Sequence, residues 1–158
     1  MRFFTLEWWK SVDGRTHADH SPQGRYKEHL LRIYSKLPVE LRAFDSGLSL
    51  EFASIRSVDL RLTERSLTLV FGPGSEPEWL SLHYGGVERF ESTADPATKL
   101  PGVQGYGSLG HCEVDVLPSG AFGHYFLFSS GIELSVVFRE FRFERTNPEL
   151  AEDVTEPQ

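Results

Sequence analysis

Histidine, cysteine and glutamate follow one another once in this sequence, in the segment His111-Cys112-Glu113. If the segment is a strand, His111 and Glu113 share a face, because side chains alternate along a strand. A His–Glu pair at this spacing can act as general acid and base. Alternation also predicts polar residues on the solvent face of any strand, whatever its function. We favour this second interpretation and assign no catalytic residue.

A second histidine, His124, has the same parity as Phe122, Phe126 and Phe128, which predicts a buried position. A buried imidazole needs a hydrogen-bond partner, so we interpret His124 as a core histidine rather than a ligand. The polar and aromatic side chains that a binding site would use are taken as candidate binding residues: Trp79, His83, Tyr106, His111, Glu113 and His124.

Metal and cofactor motifs are not recognisable. His17, Asp19 and His20 have suitable ligand chemistry, but they lack a recognised spacing and lie in a turn-rich polar stretch. The single cysteine excludes the zinc-deaminase pattern, and nucleophile-elbow, phosphate-loop and His-Glu-x-x-His motifs are missing. We therefore predict neither a metal nor a cofactor, and an enzyme is the less expected class.

Composition restricts the class of protein further. A chain of 158 residues with 39% hydrophobic content suits one domain with a single core. The formal charge of −7 disfavours a nucleic-acid partner and favours a basic protein partner. Cys112 is the only cysteine, which fits a reducing cytoplasm. Neither a signal peptide nor a long apolar membrane segment is recognisable.

The elements that carry these residues begin with helices. Thr5 is predicted to cap a short helix, and the aromatic residues of segment 3–9 are predicted to dock on the fold, with an exposed partner-binding patch as the alternative. An amphipathic helix follows Ser21-Pro22. Pro38 ends it and opens a second helix that Gly47 closes.

Alternating segments follow. Residues 55–62 are predicted to form the first strand, with Val58, Leu60 and Leu62 on a buried face and a bulge near residues 53–56. A hairpin returns at residues 67–71, and Gly85-Gly86 interrupts a strand at residues 80–84. Residues 92–107 are predicted to form a contact or lid loop. Segments 109–117, 122–128 and 132–143 predict a meander with a bulge near Arg139.

The fold class expected is α+β: N-terminal helices packed on a twisted, mainly antiparallel sheet of six or seven strands, curled towards a half-barrel. We expect a single domain over residues 1–146, with a helical segment at 1–47 and the sheet at 48–146. Residues 147–158 are predicted to be an acidic disordered tail.

Four short segments carry a family resemblance: residues 3–9 (Phe-Phe-Thr-Leu-Glu-Trp-Trp), 48–55 (Leu-Ser-Leu-Glu-Phe-Ala-Ser-Ile), 82–87 (Leu-His-Tyr-Gly-Gly-Val) and 117–120 (Leu-Pro-Ser-Gly). Through them the chain resembles a loosely defined group of bacterial proteins of unknown function. That group often reads Leu-His-Asp-Ala where this chain has Leu50, Glu51, Phe52 and Ala53. Similar small α+β proteins occur among immunity proteins that bind toxins.

Two functional hypotheses result. The favoured one is a non-catalytic protein-binding module, of immunity type, that presents an acidic surface to a basic protein partner. The alternative is a small-molecule-binding protein or enzyme that uses a concave sheet face with His and Glu side chains. A filled sheet interior would favour the first hypothesis, and a deep pocket with converging His and Glu would favour the second.

Overall fold

The computed structural model describes residues 1–12, 21–94 and 106–147. Its α+β architecture agrees with the predicted fold class. Three parts of the sequence analysis lie outside the described residues: the polar stretch with His17, Asp19 and His20, most of the predicted loop, and the acidic tail after Asn147. The elements are α1 (Leu6–Val12), α2 (Ser21–Ile33), α3 (Val39–Gly47), β1 (Ile55–Arg61), β2 (Ser66–Phe71), β3 (Trp79–Gly85), β4 (Arg89–Ser92), β5 (Leu109–Val116), β6 (Phe122–Phe128), β7 (Glu133–Phe138) and β8 (Glu140–Thr146).

Helices α1 and α3 begin next to the residues that predict their starts. The Trp8 N–H donates to the Thr5 hydroxyl at 3.1 Å, which satisfies one free amide of α1. Pro38 precedes α3, whose end is closed by the Leu48 N–H donating to the Phe44 carbonyl. None of the helices in the described ranges is both long and apolar enough to cross a membrane.

The strands form two antiparallel sheets of four strands each, in the orders β1-β2-β3-β8 (the first sheet) and β4-β7-β6-β5 (the second sheet). The predicted single sheet of six or seven strands is therefore wrong, and the half-barrel is not confirmed. The chain passes between the sheets twice, from β3 to β4 and from β7 to β8. At the first passage Gly86 has a φ of +57°, a conformation that other residues adopt only with strain.

The order of strands agrees with several local predictions. β1 and β2 form the predicted hairpin, with a register shift between Ile55 and Ser57 at the predicted bulge. β5, β6 and β7 form the predicted antiparallel meander. The predicted last strand over residues 132–143 is wrong, because Arg139 separates β7 from β8 and the two strands belong to different sheets. The position of the predicted bulge is therefore the passage between the sheets, where the Arg139 N–H donates to the Gly85 carbonyl at 3.0 Å.

The core lies between the inner faces of the two sheets and is filled by large side chains. Phe71 of the first sheet contacts Phe126 of the second with ring centroids 5.7 Å apart, and Tyr84 contacts Phe138 at 4.9 Å. Phe44 brings α3 onto the inner side of β8. The interior is thus occupied by aromatic and aliphatic groups rather than shaped as a ligand cavity.

The first strand corrects one sequence prediction. Val58 and Leu60 lie opposite the buried residues Leu69 and Leu67, yet they are 39% and 38% exposed, and Leu62 is 79% exposed. β1 is an edge strand of the first sheet, whereas β2 lies in its interior. The inner face of β1 is therefore less covered than the inner face of β2. The face predicted to be buried is therefore partly open to solvent.

Candidate functional site

Glu113 lies on β5 and is only 2% exposed. Its carboxylate accepts three successive main-chain N–H groups from the N-terminus: Arg2 at 2.8 Å, Phe3 at 2.7 Å and Phe4 at 2.5 Å. Hydrogen bonds to an ionised carboxylate are among the strongest in proteins. The prediction that Glu113 faces solvent is wrong, because the N-terminal segment covers this face of the second sheet. Its carboxylate anchors the chain end and is not free to act as a general base.

His111 belongs to an aromatic cluster made by the same N-terminal segment. Its ring stacks on Phe4 with centroids 4.6 Å apart, and Trp8 and Trp9 meet it edge-on at 5.2 and 5.3 Å. Burial lowers the pKa of His111, and this effect exceeds the opposite effect of the negative charges of Glu51 and Glu113, which raise the pKa. The imidazole is therefore favoured in its neutral form and serves as a packing partner. The predicted docking of the aromatic N-terminus is confirmed.

Helix α2 covers the free edge of β5 with two polar side chains. The Val114 N–H donates to the Tyr26 hydroxyl at 2.9 Å, and the His29 imidazole lies 2.8 Å from an Asp115 carboxylate oxygen. Burial raises the pKa of Tyr26 well above its ordinary value, so the phenol stays protonated. Sequence reasoning missed His29. The available signal was its position three residues after Tyr26, which puts both on one helix face.

His124 lies fully buried on β6, and its Nδ1 is 2.8 Å from the Tyr84 hydroxyl. The prediction of a core histidine with a hydrogen-bond partner is confirmed. Burial lowers the pKa of His124 to about 3, because the charged form cannot be solvated among the neighbouring rings of Phe44 and Phe126. Its Nε2 has no hydrogen-bond partner among the described residues.

His83 lies on the outer face of the first sheet, which is the face turned away from the core. Thr68, His83 and Arg142 are cross-strand neighbours, and Asp59 continues the row on β1. The Thr68 hydroxyl is 3.1 Å from His83 Nδ1, and a Glu144 oxygen is 3.6 Å from His83 Nε2. We call this outer surface the His83 face; it consists of Asp59, Arg61, Thr68, His83, Glu140, Arg142 and Glu144.

An open groove of about 530 Å³ runs along the His83 face beside Gly85. Charged groups border it on both sides, with Arg61 paired to Asp59 at 3.2 Å and Arg142 hydrogen-bonded to Glu144. The Arg142 hydrogen bond and the nearby His83 lower the pKa of Glu144, so this exposed carboxylate is ionised at neutral pH. The groove is polar, shallow and accessible.

The two remaining candidates lie elsewhere. Trp79 is at the far end of β3 from the groove, where the Arg56 guanidinium lies 5.9 Å from its ring centroid. Tyr106 packs against Phe128 at 5.3 Å, on the edge of the core. The structure thus brings His111 together with Glu113, and puts Trp79 and His83 on one face of β3. It does not gather the six candidate residues into one site.

The line of Thr68, His83 and Glu144 has the residue types of a nucleophilic triad, but the geometry does not support that chemistry. The His83–Glu144 distance of 3.6 Å exceeds a hydrogen bond. Thr68 is in the middle of β2, which is paired on both sides with β1 and β3, so the neighbouring strand amides are not free to form an oxyanion hole. Recognition of another molecule fits this surface better than catalysis.

Among the described residues, no group of three or more His, Cys, Asp or Glu side chains could hold a metal ion. No family model and no curated protein matches the sequence. The resemblance to bacterial proteins of unknown function therefore stays a prediction, and a functional assignment depends on the geometry of the His83 face.

Proposed function

We propose that this chain is a non-catalytic protein-binding module that contacts its partner through the His83 face. One observation carries the proposal: no helix or strand of the described residues covers this four-stranded polar surface. Helix α3 reaches β8 through Phe44, which contacts the inner-face residues Phe141 and Phe143 and leaves the outer side free. Asp59, Glu140 and Arg142 are all exposed.

The other polar candidates support a non-catalytic role because they already have structural partners. Glu113 binds the N-terminal amides, His111 packs in the aromatic cluster and His124 pairs with Tyr84. The core between the sheets is filled by aliphatic and aromatic side chains, and among the described residues Glu113, His111 and His124 do not converge on one pocket. These observations favour the binding module over an enzyme that works inside the sheet.

Charge favours a basic partner. The described part of the chain is nearly balanced, with sixteen acidic and fourteen basic residues. On the His83 face, however, Asp59, Glu140 and Glu144 outnumber the arginines at 61 and 142. Soon after β8 the chain also continues with four acidic residues and no basic one: Glu149, Glu152, Asp153 and Glu156. A basic protein surface would be attracted to the excess of acidic groups on the His83 face.

The finer form of the proposal is an immunity-type role, in which the partner is a basic toxin that loses activity when bound. The family resemblance and the small α+β architecture motivate it. A reducing cytoplasm is the compartment we propose, since Cys112 is the only cysteine and the fold does not use a disulfide.

The test is an affinity capture from the native host at low salt, with the full chain immobilised. The face variant is Glu140→Lys/Glu144→Lys, and the matched control is Glu28→Lys/Glu40→Lys, which makes the same charge change on exposed positions of α2 and α3. We expect the wild type and the control to retain one basic protein, and the face variant to lose it. The purified partner should then bind with an affinity that falls as salt rises.

Two results would count against the proposal. The first is the absence of a partner at low salt. The second is recovery of the same proteins by all three baits, which would indicate non-specific charge attraction. An immunity-type role additionally requires that binding lowers the activity of the partner, and a partner that stays fully active would exclude that finer form alone.

A small ligand in the groove is the second candidate, and one observation favours it. Within the described residues His83 Nε2 is buried and makes no hydrogen bond, although His83 borders the groove and a Glu144 carboxylate oxygen lies 3.6 Å from this nitrogen. A ligand oxygen could fill this position. We expect a binding fragment to shift the NMR signals of the His83 ring saturably, together with the backbone signals of Thr68 and Arg142, and His83→Gln to abolish the shifts of those backbone signals. Fragments that perturb only other regions would contradict this role.

A further inference from the structure

Strand β1 and the turn after it expose three apolar side chains. Val58 and Leu60 lie on the inner face of β1, Leu62 follows directly after the strand, and all three are among the exposed large hydrophobic residues. Leu60 and Leu62 also border a small groove with Val87 and Phe90. Apolar residues repeated on an open strand are unusual, because an edge strand invites pairing with another chain.

The free edge of β1 has few of the features that block such pairing. In the described structure β1 pairs only with β2, so its other edge is open. The segment from Ser57 to Leu62 contains neither proline nor lysine, which commonly protect an edge; the protective features of β1 are the charges of Asp59 and Arg61 and the irregularity near Ile55. This edge can therefore accept another strand by backbone hydrogen bonding.

We propose that a second copy of this chain pairs with β1 in an antiparallel arrangement, with the two-fold axis at Leu60. In that register Leu60 lies opposite Leu60 of the second copy, and Val58 lies opposite its Leu62. Asp59 lies opposite Arg61 of the second copy, and the symmetry repeats each pair. The apolar residues then cover one another on one side, and opposite charges meet on the other.

Charge selects this register over its neighbours. In a continuous sheet, directly opposed residues of the two copies project from the same face and therefore have the same parity in the sequence. The two-fold axis must then pass through a residue and not between two residues. An axis at position 59 would oppose Asp59 to itself, and an axis at position 61 would oppose Arg61 to itself. Like charges directly opposite one another destabilise a strand pair. Only the register centred on Leu60 pairs both charges favourably while it covers all three apolar side chains.

The existing contacts of these charges do not prevent the new ones. Arg61 pairs with Asp59 of its own chain at 3.2 Å, and both side chains are more than half exposed. Exposed ion pairs of this kind contribute little and exchange partners readily. The dimer would join two first sheets into one of eight strands, with the His83 faces of both copies on the same side.

The decisive test uses charge exchange in the full chain, with the association constant measured by sedimentation over a concentration series. Asp59→Arg alone opposes two arginines, and Arg61→Asp alone opposes two aspartates. Each variant should associate at least about tenfold more weakly than the wild type, because two attractive Asp–Arg pairs become two repulsive like-charge pairs. An equimolar mixture of the two variants restores both Asp–Arg pairs, and it should form a heterodimer at wild-type strength.

An apolar variant and a matched control complete the experiment. Leu60→Lys should abolish association, whereas Leu31→Lys, at a position of α2 that is 72% exposed, should leave it unchanged. A wild type that is monomeric up to millimolar concentration would overturn the proposal. So would a mixture of the charge variants that fails to associate although each variant is folded by circular dichroism.

Discussion

The Glu113 carboxylate accepts the main-chain N–H of Phe3 at 2.7 Å across a separation of 110 positions. The contact ties the beginning of the chain to the edge strand of the second sheet. The N–H groups of Arg2 and Phe4 donate to the same carboxylate. The buried Glu113 side chain therefore has its hydrogen-bonding capacity satisfied by the main chain. The N-terminal segment is therefore part of the fold and not a free end.

Removal of this anchor should release the N-terminus. We expect Glu113→Ala to lower the free energy of unfolding by about 3 kcal/mol, because buried N–H groups lose a charged acceptor. Trypsin should then cut after Lys10, measured by mass spectrometry, much faster than in the wild type. Glu91→Ala, an exposed position on β4, is the control and should change neither quantity appreciably. Equal cleavage of Glu113→Ala and wild type would contradict the anchoring role.

Gly110 makes room for the aromatic cluster. A Cβ at this position would lie 1.8 Å from the Trp9 ring, so Gly110→Ala should destabilise the protein by about 1–3 kcal/mol through overpacking. In a Trp9→Ala background most of that cost should disappear, which a double-mutant cycle by urea unfolding measures. Gly24→Ala, where nothing lies within 4 Å, should instead stabilise helix α2. Additive costs at positions 9 and 110 would contradict the contact.

His124 should make stability depend on pH. Its pKa is lowered from 6.5 to about 3 in the folded state, so below pH 6.5 the unfolded chain binds a proton that the folded protein does not. Stability is therefore full above pH 6.5 and is lost as the pH falls. The loss from His124 between pH 7 and pH 5 should be about 2 kcal/mol.

The measurement for His124 is urea unfolding at both pH values. His124→Phe should lack this part of the pH dependence, whereas His83→Gln should keep it. The His111 pKa is also lowered, so a smaller dependence of the same sign should persist in His124→Phe. In the wild type, NMR signals of the His124 ring should not titrate between pH 7 and pH 5. A ring that titrates near pH 6.5 would refute the burial argument.

Cys112 should be an unreactive thiol in the folded protein. Burial, together with the negative charges of Asp45 and Glu113, raises its pKa to about 12. Because the thiolate is the reactive form, alkylation at neutral pH should be about a thousandfold slower than in urea-unfolded chain. The rate of iodoacetamide labelling measures this ratio. Comparable rates in the folded and unfolded states would show that the Cys112 thiol is accessible and that its pKa is not raised.

Local features were predictable from the sequence because they depend on residues close together in the chain. The Thr5 cap, the break at Pro38 and the meander over strands β5 to β7 follow from capping chemistry, backbone restriction and alternation. The buried His124 was found in the same way, from its shared parity with phenylalanines. Its partner Tyr84 was not, since the two residues lie on strands of different sheets.

The two main errors have one physical cause. Alternation assigns residues to a common face but does not say which face another element covers. Glu113 was expected in solvent, yet the N-terminal segment buries it. Leu60 was expected in the core, yet it lies on an edge strand that the second sheet does not cover. In each case the decisive neighbour is far away in the sequence.

The sequence by itself determined the element types, the α+β class and the parity of each strand, because these depend on local propensity and periodicity. Only the tertiary structure decided that eight strands divide into two sheets and that Glu113 anchors the N-terminus. The open His83 face and the exposed edge of β1 were likewise decided there. Burial is set by packing between distant segments, and the proposed function depends on which surfaces that packing leaves free.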